Sequence, residues 1–430
     1  MAKSAEKGPS DTAEGRPSGP AQSRPASLVD RSHIQWFREA RFGMFVHFGP
    51  FSQWFHKEWR NSTAKRGEMS AEEFDRKYVA GLTPKKGCTR DWAQLAKKAG
   101  MKYMVFTAKH HDAFCLWDSK LTDFNSVKLG PKRDMVAEFV KACREQGLKV
   151  GLYYSLMDGH HPDGRRCADD EAARQRFLEY TRGLLRELMT NYGRIDMLWY
   201  DGPSPLGYAG EWESDKMNRM VRELQPGIVI NDRALLAEDF SCPEGHISPT
   251  LFPDRDWEAC MTFNGVWAWC PKPPEEYLTA RQIIDMLHQV SAGTGNLLLN
   301  VGPRPEDARI GQTEIERLET VGRWLERHGE AAYGHLDRVG GLGYTKNEIG
   351  AKWTRRGNTA YLWLPDWPSG DVVIENVKAE LKTSSLLASG EPLPFEQKDR
   401  RLTIRGLPKE CPDPICGYAV LKLEFASYPR

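Results

Sequence analysis

Met197-Leu198-Trp199-Tyr200-Asp201-Gly202-Pro203 is an apolar run that ends in a carboxylate and then breaks at Gly-Pro. A run this short and apolar, bounded by turn residues, suits a strand buried on both faces, as in a parallel sheet. Five other stretches read the same way: Gly43–His47, Tyr103–Ala108, Val150–Tyr154, Gly227–Asn231 and Asn296–Val301. Between them lie helical stretches, Asp91–Ala99, Met135–Gln146, Asp170–Asn191, Ser214–Gln225 and Thr279–Ala292, each ending near Gly, Pro or Asn. Such alternation implies an α/β fold with a parallel sheet. Its length suits closure into a (β/α)8-type barrel, and no GxGxxG follows the first strand to suggest a dinucleotide site. Six strands are legible. The two that an eightfold barrel still needs are expected between Leu251 and Glu276, where the pattern is poor.

After Gly334 the texture changes to short alternating segments, Thr359–Leu364, Val372–Ile374, Leu402–Ile404 and Tyr418–Phe425, separated by Gly, Pro and Asp. These predict a small C-terminal antiparallel β-sandwich. The expected organisation is a disordered N-terminal leader over residues 1–30, a barrel over 31–335 and the sandwich over 336–430. The leader is rich in Pro, Gly, Ser and Ala and has no apolar core of a signal peptide. The sequence as given therefore reads as cytoplasmic, or as periplasmic or secreted if the true start lies elsewhere. Lys+Arg number 60 against 59 Asp+Glu, a net charge of +1, so no field favours a polyanion such as nucleic acid. No transmembrane run is present. The nine Cys form no CxxC pair, against a zinc ribbon or a full disulfide framework; Cys411 and Cys416 are close enough in sequence to pair, and free thiols are an equal reading.

In a parallel barrel the active site forms where the strands end. The first strand ends in His47, the second runs into Lys109-His110-His111-Asp112, the third ends in Tyr153-Tyr154-Ser155, the fourth in Trp199-Tyr200-Asp201, the fifth in Asn231-Asp232-Arg233. Polar groups at the ends of buried strands are costly without a ligand or partners. Trp199 and Asp201 are two apart and share a face, so an indole and a carboxylate point into one pocket if that face lines the barrel. The competing reading of Asp201 is a cap for the next helix. The chain's 14 Trp and 14 Tyr include flat faces that suit a sugar ring. His110-His111 reads as a hydrogen-bonding pair rather than metal ligands, because neighbours on a strand diverge and no HxH or HExxH spacing occurs. A glycosidase needs a second carboxyl group. Glu238, Asp239, Glu244, Asp254, Asp256 and Glu258 all follow the fifth strand in what reads as one long loop, and these residues alone do not choose among them.

Together these segments resemble glycoside hydrolase family 29, the α-L-fucosidases. Arg41-Phe42-Gly43-Met44-Phe45-Val46-His47-Phe48-Gly49, Glu58-Trp59, Lys109 to Trp117, Thr122 to Ser126, Gly151 to Ser155, Leu198 to Gly202, Asn231 to Arg233, Asn296 to Pro303 and His328 to Gly334 match its blocks in order. The resemblance implies a retaining exo-α-L-fucosidase with Asp201 as nucleophile. Its Asp-Phe-x-x-x-Glu segment falls on Asp239 to Glu244 and so implies Glu244 as acid/base, while Glu258, in a separate family segment, is implied to serve structure or binding. It further implies sugar contacts from His47, Glu58, Trp59, His110, His111, Tyr153, Trp199 and Arg233. Phe48 stands where the family often has Trp, Ala113 where it usually has Gly, and the stretch Trp267–Trp269 is less familiar. The implied partner is a fucosylated oligosaccharide or glycoconjugate, with no cofactor, metal, nucleic acid or membrane, and homo-oligomerisation left open. A sugar-binding protein without activity, a glycosidase for another fucose-like sugar, and a metal-dependent barrel hydrolase are the rivals.

Overall fold

The computed structural model describes residues 31–53, 73, 75–252, 254–338, 344–345 and 352–429. Glu58, Trp59 and the leader at 1–30 lie outside the described residues. Eight parallel strands form one sheet: β1 (Phe42–Val46), β2 (Tyr103–Lys109), β3 (Lys149–Ser155), β4 (Met197–Asp201), β5 (Val229–Ile230), β6 (Phe240–Ser241), β7 (Asp256–Thr262) and β8 (Asn296–Val301). Their order is β5-β4-β3-β2-β1-β8-β7-β6. A parallel bridge between Asn231 and Phe240 joins the two ends and closes the barrel.

The six legible strands lie where the sequence places them, but the expected positions of the sixth and seventh need correction. Only β7 falls between Leu251 and Glu276; β6 lies earlier, at Phe240–Ser241. Two residues are too few to show a period, and no helix separates β5 from β6 to announce a new unit. Asp239 secures this short strand instead. Its carboxylate accepts from the Ile230 amide (2.8 Å) and from Arg222 (2.9 Å) and faces His33 (3.0 Å). Burial alone would raise its pKa, but these partners hold it below the usual carboxylate value. Elsewhere helices follow the strands as read. Asp134 caps Met135–Glu145 through the Ala137 amide (2.7 Å), Asp170 caps Glu171–Asn191, and Thr279 with Gln282 forms a capping box on Ala280–Ala292.

Strand parity divides the core in two. Phe45, Tyr103, Val105, Tyr153, Met197, Trp199, Phe240, Cys260 and Leu298 fill the barrel. Their neighbours Met44, Val46, Met104, Leu198 and Tyr200 pack outward against the helices. Gly43 leaves room for Tyr103, whose ring lies only 2.4–2.7 Å from where a Cβ would stand.

The C-terminal region is a sandwich of two four-stranded antiparallel sheets. One has the order β10 (Lys352–Arg356), β11 (Thr359–Leu364), β16 (Ala419–Phe425), β13 (Leu381–Leu386). The other runs β14 (Phe395–Lys398), β15 (Arg401–Ile404), β12 (Val372–Glu375), β9 (Tyr344–Thr345). We propose the domain break at residues 335/336, because Asp337 already bridges Arg355 of the sandwich. An aromatic cluster joins the domains: Trp363 lies 5.3 Å from Trp324, 5.2 Å from His288 and 6.0 Å from Tyr418. Trp363 is fully buried and donates to Thr354 Oγ1 (2.9 Å). Trp363→Ala is therefore expected to destabilise the protein by about 3–5 kcal/mol, read from urea unfolding; a change under about 1 kcal/mol would mean that the cluster carries little of the docking. All nine cysteines are free, Cys411 and Cys416 included. Among the described residues no helix is long and apolar enough to cross a membrane.

Candidate active site

At the C-terminal ends of the strands a cavity of about 120 Å³ is lined by His47, His110, His111, Tyr153, Trp199, Asp201 and Glu244, with Phe45, Phe51, Cys260 and Trp267. This is well below the ~300–1,000 Å³ of sites for drug-sized ligands, so it admits one small ring. A larger cleft of about 610 Å³, between the helices Cys88–Lys98 and Gln312–His328, contains none of the candidate side chains.

Asp201 ends β4, facing inward like Trp199. It accepts from Tyr153 Oη (2.8 Å, on Oδ2) and Arg233 Nη1 (2.8 Å, on Oδ1), and His111 Nε2 lies 3.7 Å away. Burial pushes its pKa up; the charge of Arg233, then that of His111, and the bond from Tyr153 outweigh that push and hold the carboxyl below its ordinary value. Gly202 follows at φ 56, and a Cβ there would stand 2.8 Å from the His111 ring, so the turn requires glycine. Arg233→Gln is expected to move the acidic limb of the kcat/KM profile to higher pH, because burial then dominates at Asp201. An unmoved limb would show that Arg233 does not set the ionisation of Asp201.

Arg233 also reaches the second acid. Its Nη2 donates to Glu244 Oε2 (2.7 Å), and its guanidinium lies 4.9 Å over the Trp199 ring. Glu244 is not in a free loop, as the sequence suggested. It sits just past β6, bridged to Cys260 of β7, with its side chain 45% exposed. The other acidic candidates are committed elsewhere. Glu238 pairs with Arg222 and Asp239 secures β6. Asp254 and Asp256 line a different cleft with Arg38 and Arg41, and Asp256 pairs with Arg31 and Arg38. Glu258 is fully buried inside the barrel. Of the six, Glu244 lines the cavity that Asp201 lines.

The histidines behave differently from one another. His47 Nδ1 meets Asn300 Oδ1 (2.6 Å), and the Asn300 amide nitrogen donates to the Trp267 carbonyl (2.6 Å), so His47 donates to Asn300. Burial drives the His47 pKa down to about 4, against the bond to Asn300 and the charge of Asp201. The ring is thus neutral, and its Nε2 is an acceptor. His110 and His111 were expected to diverge, yet both line the cavity. The reason is that β2 has a register shift at Thr107/Lys109 and ends at Lys109, so the pair lies in a turn where strand parity no longer applies. His110 stacks on Phe51 (4.2 Å) and Tyr153 (5.5 Å), while His111 Nδ1 meets Ser155 Oγ (2.7 Å). Ala113 closes this turn at φ 71, a conformation that favours glycine and gives a reason for the family's usual residue there.

Four lining residues were not singled out from sequence as sugar contacts. Phe45 was within reach, since it shares parity with His47. Phe51 and Cys260 carry no such signal; Trp267 belongs to the unfamiliar Trp267–Trp269 stretch, which reads as a place for leaving-group specificity rather than as a sugar contact. Trp267 packs 5.1 Å from His47 and 6.1 Å from Phe45 across the cavity. Phe48, by contrast, is core, 5.7 Å from Trp92.

The family model described as Alpha-L-fucosidase matches residues 12–330. The tissue α-L-fucosidase of Homo sapiens is 31% identical over 391 residues, covering 84% of this chain and 81% of that one. Among solved structures, α-L-fucosidase isoenzyme 1 from Paenibacillus thiaminolyticus superposes with a TM-score of 0.81 at 32% identity, over 92% of this chain and 99% of that one. A glycoside hydrolase family 29 α-L-fucosidase from Bacteroides thetaiotaomicron, solved as a trapped covalent intermediate with 2-fluoro-fucosyl fluoride, superposes with a TM-score of 0.81 at 27% identity, over 95% and 100%.

Proposed function

The chain belongs to the α-L-fucosidase family of retaining glycoside hydrolases, and from that premise we propose that Asp201 is its nucleophile and Glu244 its acid/base. The observation that carries this reading is that one guanidinium, Arg233, holds both carboxylates at the rim of one small cavity. Family membership sets aside the rival readings of a metal-dependent barrel hydrolase and of a glycosidase for another fucose-like sugar.

In the first step an oxygen of ionised Asp201 forms a bond to C1 of a terminal α-L-fucosyl unit as the bond from C1 to the leaving oxygen breaks. Glu244 gives its proton to that oxygen. In the second step the Glu244 carboxylate takes a proton from water, whose oxygen bonds to C1 and releases Asp201. Glu244 must leave Arg233 to reach the leaving group. Its exposure and the following Gly245, at φ 73 with open space around it, allow that movement.

The other lining residues hold the sugar. His47 Nε2 accepts from a hydroxyl, with His110 and His111 also reading hydroxyls. Phe45, Trp199 and Trp267 offer apolar surface to the 6-methyl, where a hydroxylated sugar gains nothing. Glu58 and Trp59 keep the sugar-binding role that the resemblance implies. The substrate is a fucosylated oligosaccharide or glycoconjugate, and the cavity's size fits removal of one end unit at a time. We propose no nucleic-acid partner and no membrane association.

The test is hydrolysis of an aryl α-L-fucoside followed by NMR from the first turnover. The α anomer of fucose should appear first and then mutarotate. Initial release of the β anomer would rule out double displacement.

A further inference from the structure

We propose that Glu258 is a positioning residue of this site, acting through Trp199; the proposal rests on the reading of Asp201 as nucleophile. Glu258 is fully buried on β7, within the barrel, and is not among the residues that line the cavity. Its Oε1 accepts from Trp199 Nε1 (3.0 Å), and its Oε2 accepts from Tyr103 Oη. Among the described residues it forms no ion pair.

A carboxyl group in such a place is a poor way to fill space, since an apolar side chain of similar volume avoids the cost of desolvation. What it supplies is an acceptor. An indole only donates, so Trp199 Nε1, turned into the barrel, needs an oxygen there. The other end of the clamp is rigid, because Tyr103 is wedged over Gly43 on β1. Glu258 therefore ties β4 to β2 from below.

The clamped ring is the junction of the nucleophile's supports. Tyr153 stacks on it at 5.6 Å and 18°, and Tyr153 Oη donates to Asp201. Arg233, the other partner of Asp201, lies over it. A tilt of the indole shifts both groups, and catalysis is sensitive to displacements of this kind.

Burial raises the Glu258 pKa to about 7, against the bonds from Tyr103 and Trp199. The groups facing it are the Tyr103 phenol and the Trp199 indole, the Asn296 amide beside Tyr103, and the Cys260 thiol of its own strand; none is cationic. The ionised form accepts both donors; the protonated form still accepts from Trp199 and can turn its O–H to Tyr103 Oη, so Trp199 keeps its acceptor in either state. The clamp therefore holds the indole on both sides of that pKa.

Glu258→Leu removes the acceptor and keeps the volume. It is expected to lower kcat of the folded enzyme by about 100-fold, with a smaller change in KM. Glu258→Gln keeps an oxygen for Trp199 and a nitrogen for Tyr103, whose hydroxyl can turn to the otherwise unpaired Asn296 Oδ1. It should return kcat to within about fivefold of wild type. In a Trp199→Phe background, Glu258→Leu should have no further effect on kcat. A folded Leu variant with unchanged kcat would overturn the proposal, as would the same loss in both backgrounds. If the Leu variant does not fold, wild-type kcat in a Trp199→Phe variant overturns it, because the clamp acts through that indole. A Gln variant inactive only on poor leaving groups would instead make Glu258 the acid. Failure of the underlying reading shows separately, as activity retained by Asp201→Ala.

Discussion

Asp201→Ala is expected to lower kcat by roughly four to six orders of magnitude, the scale of loss when a covalent nucleophile is removed. The fold should survive, because the side chain sits at a strand end facing a cavity and not in the core. What is lost is specific. The carboxylate that Arg233 and Tyr153 hold ionised can no longer bond to C1, and water in its place is a weak nucleophile without a base on that side. Removing the carboxylate leaves a small space facing C1. Added azide should enter it and attack from the vacated side, restoring turnover of an activated fucoside and yielding the β-L-fucosyl azide. Wild-type-like turnover in this variant, or no rescue by azide with any activated substrate, would end the assignment.

Glu244→Ala should behave differently, and the contrast is the informative part. Loss of proton donation matters most when the leaving oxygen is basic. Hydrolysis of an alkyl or glycosyl fucoside should therefore fall by about 10³–10⁴, at the upper end of general acid–base contributions. An activated aryl fucoside leaves without help, so its first step should be nearly unaffected. The second step still lacks its base, so the covalent intermediate should accumulate, with a burst of phenol and a lowered KM. Azide needs no base and should intercept that intermediate, giving the α-L-fucosyl azide. The two variants thus predict opposite anomers from one reagent. Equal losses on activated and unactivated substrates would show that Glu244 is not the acid.

Much of this was legible in the sequence because of how parallel barrels are built. A strand covered on both faces must be apolar throughout, so a polar residue at its end, such as His47 or Asp201, stands out. The same logic failed where the strand was too short to carry a pattern. β6 has two residues and is secured by the Asp239 carboxylate, so no periodicity marks it. Glu244 consequently read as a loop residue, and only the resemblance to a family singled it out. Parity also misled at His110 and His111, because the end of β2 is irregular there and adjacent residues no longer diverge.

The sequence by itself determined the barrel-and-sandwich architecture, the sugar hydrolase class and Asp201 as the strand-end carboxylate proposed for catalysis, since local pattern and motif order are enough for these. Only the tertiary structure decided that one arginine joins Asp201 to Glu244, that Phe51 and Trp267 complete the cavity, and that Glu258 lies beneath Trp199 rather than in the pocket. Those are distances between side chains far apart in the chain. They depend on barrel closure and register, which no single segment encodes.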